Sequence, residues 1–197
     1  SANGAIVVVA GGTMTAVDVR SLTDADANDI ALTTVAGDLV VGVVHAGAAG
    51  DVMLDAGGAI VDDNGAAVNV VADALMADAV SGIDLDTTVA TLDATVSGTG
   101  ALQVDETDAL VVVDADTANG MIRIEAGGAL TATDVASLTD ADGNDITLRS
   151  VSGDLMVGLV NAGALGDVVL GSGGAIVDGN GAAVNVIADE LMADAVS

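Results

Sequence analysis

Residues 50–73 read GDVMLDAGGAIVDDNGAAVNVVAD. Val52 and Leu54 alternate with Met53 and Asp55, the period-two signature of a half-buried strand. Gly57-Gly58 breaks the run, Ile60-Val61 opens a second apolar stretch, and Asp62-Asp63-Asn64-Gly65 supplies the next turn. The phrase is strand, turn, strand, turn. A unit this short cannot bury its own inner face, but copies stacked as parallel coils can.

The same beat runs along the chain. Apolar-x-apolar dyads stand at Ile6/Val8, Ile30/Leu32, Val52/Leu54 and Val68/Val70, weakly near Val89, then at Leu102/Val104, Ile122/Ile124, Ile146/Leu148, Val168/Leu170 and Val184/Val186. Asn-Gly, Asn-Asp or Gly-Asp usually precedes them, and a second apolar position follows, as at Met14, Leu39, Ile60, Leu110 and Leu130. A longer period overlies this one. Residues 2–81 align without a gap with 118–197, with 57 of 80 pairs identical, and coils at 82–117 join the two copies. SLTDADANDIALTTVAGDLVVGVVHAGAAGDV at 21–52 returns as SLTDADGNDITLRSVSGDLMVGLVNAGALGDV at 137–168. One 116-residue unit then holds six turns of about 19 residues and the chain about ten, and the chain is expected to be part of a longer array.

The expected fold is therefore all-β: a single continuous parallel β-helix over 1–197, with two or three short strands per coil. Ile6 should stack over Ile30, Val52 and Val68, and the inward face should also hold Val8, Met14, Leu32, Leu39, Leu54, Ile60, Val70, Leu102, Val104, Leu110, Ile122, Ile124 and Leu130. A short helix over 68–81 is the rival reading, but that stretch has no convincing cap and its dyad keeps the beat. The six methionines read as core filling.

Composition agrees. The chain of 197 residues is 52% apolar yet has no Phe, Tyr, Trp, Pro or Cys. Without aromatic fillers the core must be narrow enough for Val, Leu and Ile. Thirty acids face three arginines, for a net charge of −27, and only Glu106, Glu125 and Glu190 are Glu. Asp favours turns, where Glu would favour helices. So negative a field repels nucleic acid and anionic membranes. No apolar run is long enough for a membrane helix. The opening Ser-Ala-Asn-Gly is not a signal peptide, so an export signal would lie elsewhere in the parent.

The phrases GDVMLDAGGAIVDDNGAAVNVVAD, NGMIRIEAGGALTATDV at 119–135 and NDITLRSVSGDLMVG at 144–158 resemble the right-handed β-helix repeats of filamentous-haemagglutinin-like bacterial surface exoproteins. The resemblance spans essentially the whole chain. It implies secretion to the cell surface, great length, and adhesion or matrix building.

Candidate chemistry is sparse. Asp140, Asp142, Asn144 and Asp145, with counterparts Asp24, Asp26, Asn28 and Asp29, alternate side-chain oxygens on a tight turn, a pattern that suits Ca²⁺. The EF-hand position twelve is Val151, so that motif fails. The plainer reading is an Asx-bonded turn. Asp62-Asp63 could be a paired-carboxylate glycosidase site. The second copy has Asp178-Gly179, however, and an Asx turn before Asn64-Gly65 is the better reading. His45, placed on a loop, is replaced by Asn161 and has no triad around it. No Gly-rich phosphate motif is present.

The expected role is non-catalytic: the stalk or spacer of a giant secreted adhesin, extracellular or at the cell surface. Its partners would be its own neighbouring repeats, with a host or neighbour-cell receptor engaged through other domains. The alternative is a filament built by end-to-end self-association, with Ca²⁺ as its candidate stabiliser. Neither nucleic acid nor membrane insertion is expected.

Overall fold

A computed structural model describes residues 1–196. The chain runs through β1 (Ile6–Ala10), β2 (Met14–Arg20), β3 (Ile30–Thr34), β4 (Leu39–His45), β5 (Val52–Ala56) and β6 (Ile60–Asp62). Next come β7 (Val70–Ala79), β8 (Ile83–Thr99), β9 (Leu102–Glu106), β10 (Leu110–Asn119), β11 (Ile122–Ala126) and β12 (Leu130–Ser137). The last are β13 (Ile146–Ser150), β14 (Leu155–Asn161), β15 (Val168–Ser172), β16 (Ile176–Asp178), β17 (Val186–Ile187) and β18 (Leu191–Ala195). Every strand pairing among them is parallel, and the described residues contain no helix. This is a β-solenoid of about nine turns with roughly 22-residue spacing.

Each coil contributes once to each of two ladders. The first ladder stacks Ile6, Ile30, Val52, Leu75, Leu92, Val112, Ala132 and Val157. The second stacks Met14, Leu39, Ile60, Ile83, Leu102, Ile122, Ile146, Val168 and Leu191. From Ile30 to Val157 and from Leu39 to Val168 these side chains are buried, forming one narrow core of Val, Ile, Leu and Ala. Each fully buried Leu or Ile contributes about 1.5–3 kcal/mol, and β-branched side chains suit the pleat.

The two ladders correct the coil count. Dyads occur in both, so a single list of dyads merges them: Ile6, Ile30 and Val52 belong to the first, Leu102, Ile122 and Ile146 to the second. The fourth rung after Ile6, Ile30 and Val52 is Leu75, not Val68. Val68 is half-buried, and Val70 pairs with Val44 in the second ladder. The 68–81 stretch carries strand β7 rather than a helix. Val8 is 40% exposed because it lies on the terminal coil, with Ile6 and Met14 packed only against the core's edge. Five of the six methionines (all but Met14) point outward, so they do not fill the core.

The 116-residue unit spans five and a half coils. Ile6 is the first rung of the first ladder, while its equivalent Ile122 is the sixth rung of the second. Successive copies therefore present the same residues on opposite sides of the solenoid. The cross-section changes accordingly. In the N-terminal half the second ladder is bent, with long strands β2 and β4 whose pairing skips Val17, and the first-ladder strands are straight. In the C-terminal half the bend passes to the first ladder, in β10, β12 and β14. The 17-residue strand β8 lies at the exchange and runs through both ladders within one coil.

Candidate functional site

The corner loops are built from carboxylates that accept amide hydrogens from the next coil. Asp29 Oδ1 accepts from Asp51 N at 3.1 Å, and Asp51 Oδ1 accepts in turn from Ala74 N at 3.2 Å. The second copy repeats the staircase: Asp145 accepts from Asp167 N at 3.0 Å, and Asp167 from Glu190 N at 3.1 Å. Asp38 and Asp154 take the amides of Ala59 and Ala175 at 2.9 and 2.8 Å. Adjacent coils are thus tied at their corners, where strand pairing stops.

The loop residues proposed for Ca²⁺ take part in the same scheme. Asp24 Oδ1 accepts from Ala49 N at 2.9 Å, and Asp140 Oδ1 accepts from Ala164 N and Leu165 N, both at 2.8 Å. Asn28 and Asn144 are buried, donating to Thr23 O and Thr139 O at 2.7 Å. Asp26 and Asp142 are exposed. Among the described residues, no three His, Asp or Glu side chains gather around a point fit for a metal ion.

Asp62 forms the Asx turn that its sequence suggests, accepting from Asn64 N at 2.7 Å and from Asn69 Nδ2 at 2.8 Å. Asn69 is fully buried and also donates to Val41 O at 2.8 Å. Asn64 donates to Gly42 O at 2.6 Å. The copy is faithful: Asn185 donates to Val157 O and Asn180 to Gly158 O, both at 2.7 Å. The Asn180 amide, with the Asn185 side chain, holds the Asp178 carboxyl below its ordinary range. Two asparagines therefore clamp the 63–69 loop, and its copy, onto the bend of the preceding coil. The Asp63 amide donates to Val41 O at 3.0 Å, but its side chain is exposed. His45 is the last residue of β4, paired with Arg20 and Val71, rather than a loop residue.

Glu106 is a buried acid that no sequence motif marks. It is 5% exposed, in the inward row of the second ladder where other coils carry Val70, Ala126 and Ser150. Oε2 accepts from Thr87 Oγ1 at 2.8 Å and Val89 N at 2.9 Å, and Oε1 from Asp108 N at 3.1 Å. The carboxylate bonds the Val89 amide at the coil where the bend changes ladders. Burial pushes its pKa up, offset in part by the hydrogen bonds from Thr87, Val89 and Asp108. A shallow groove of about 340 Å³ opens nearby, lined by Val71, Asp73, Thr88, Val89, Ala90 and Asp108.

The outer faces differ. On the second ladder Arg123 binds Asp105 through two contacts at 2.8 and 2.9 Å and Glu125 at 3.1 Å, and Arg149 reaches Glu125 at 3.0 Å. On the first, Asp55 pairs with Asp78 and Asp93 with Asp114, and among the described residues no arginine side chain binds them. Comparison of the chain with protein-family models, curated proteins and solved structures finds no match.

Proposed function

We propose that the chain is a spacer: a segment of the stalk of a large secreted surface protein of the filamentous-haemagglutinin-like kind, carrying other domains away from a bacterial cell. One observation carries the reading. The two copies keep the inward rungs, the corner carboxylates and the asparagine clamp, while His45 and Asp63 change to Asn161 and Gly179. What persists is architecture. A solenoid lengthens with repeat number at constant energy per coil, which suits a stalk. In this reading the chain is not an enzyme, and receptors are engaged by other parts of the parent.

A second reading is a filament of head-to-tail solenoids, in which coils of neighbouring chains pair in parallel as coils within the chain do. Ca²⁺ on the 24–29 and 140–145 loops would be its stabiliser, and an unchanged melting temperature in millimolar Ca²⁺ would remove that element. Particle length measured by small-angle scattering separates the two. A stalk segment keeps one length at every concentration, whereas a filament former grows into fibres as concentration rises.

A further inference from the structure

The parallel register forces six outward carboxylates of the first ladder into one strip. Asp55 stands beside Asp78, and Asp93 beside Asp114. Asp114 precedes Ala115, whose partner is Val135, so Asp134 faces it from the next rung. Asp116 lies two residues along β10 on the same face. Neighbouring rungs are about 4.8 Å apart. The charged groups facing Asp116 are all acids: Asp114 on its own strand, Asp93 on β8 and Asp134 on β12. Its rung partners Thr95 and Ala136 are uncharged. Arg123 and Arg149 bind the acids of the other ladder, and Arg20 binds Asp18.

We propose that this carboxylate ladder is a proton-responsive element, which keeps the solenoid below its full stability near neutral pH and tightens it on acidification. Stacking brings like charges together, and unfolding lets them part, so the cost belongs to the folded state. Burial, with Asp114 and Asp134, pushes the Asp116 carboxyl from 3.8 up to about 6. Burial, with Asp55 and Asp93, raises Asp78, and burial, with Asp134 and Asp93, raises Asp114. An acid raised on folding binds its proton more tightly in the folded chain. The stabilisation is complete below the unfolded value and is lost as pH rises through the folded one. For Asp116 that window lies between 3.8 and about 6.

The test is the melting temperature of the 197-residue chain at about pH 7.5 and about pH 5, bracketing the folded value. Two triple variants with equal charge change accompany the wild type. One is Asp93→Asn, Asp114→Asn and Asp116→Asn in the ladder. The other, a control, is Asp63→Asn, Asp73→Asn and Asp189→Asn at exposed positions outside the strip. The wild type should melt several degrees higher at the lower pH. The ladder variant should already melt higher at neutral pH and gain less on acidification than the wild type, while the control variant behaves as wild type. A wild type that melts lower in acid overturns the proposal. So does a control variant that reproduces the ladder variant, since net charge alone would then explain the effect.

Discussion

Ile30 and Ile146 are equivalent residues of the two sequence copies, yet they are rungs of opposite ladders. The unit of 116 residues closes on a half coil, so an array of such units alternates its faces. Cysteines introduced at the exposed equivalents Ala66 and Ala182 are unique labelling sites in a chain with no cysteine. The axial offset of five and a half coils is about 26 Å. Spin labels at these sites should give a dipolar distance clearly longer than that, because the width of the solenoid adds to it. A distance equal to the axial offset would place both loops on one side.

The core should respond as a close-packed stack. Leu54→Ala or Ile124→Ala removes a fully buried rung and should cost about 2–5 kcal/mol in denaturant unfolding. Val7→Ala, at a position 72% exposed, should change stability by less than about 0.5 kcal/mol.

Gly42 and Gly158 lie on the bends, where a Cβ would come 2.5 Å from Val17 O and 2.3 Å from Thr133 O. Gly42→Ala and Gly158→Ala should each destabilise by about 1–3 kcal/mol, because the obstacle is backbone. Gly143→Ala is the control: nothing lies within 4 Å, and the first copy already carries Ala27 there. Its melting curve should overlay that of wild type.

The buried Glu106 separates charge from hydrogen bonding. Its raised pKa means that the ionised form is disfavoured on folding, a cost lifted as pH falls through the folded value. Glu106→Gln removes the charge and keeps one acceptor oxygen, for Thr87 and Val89, while the Asp108 amide loses its partner; it should flatten this part of the pH response and cost less than removal of the whole side chain. Glu106→Ala leaves the Val89 and Asp108 amides without their partner and should destabilise at every pH, by about 1–3 kcal/mol. Unfolding free energies measured across pH for the three proteins give the comparison.

Strands were legible in the sequence because alternation at Val52/Leu54 or Ile122/Ile124 is a local property. The coil count was not, because both ladders use the same dyad and spacing does not say which one a dyad joins. The Asx turn at Asp62 was visible in Asp-Asp-Asn-Gly. The capping role of Asp29 and Asp38 was hidden, since their partners lie 22 and 21 residues away on the next coil. Glu106 left one signal: Leu102, Val104 and Glu106 continue a single alternation, which places the carboxyl inward. The outward methionines looked like core because Met53 sits beside buried Val52 and Leu54, and hydropathy does not distinguish the faces.

The solenoid grows by a fixed half-integral step of five and a half coils per unit, and length measures that most directly. Electron micrographs of chains carrying one, two and three additional 116-residue units should show rods of constant width, longer by about 26 Å per unit. Lengths that fail to rise in equal steps, or particles that thicken into strings of separate globules, would contradict it.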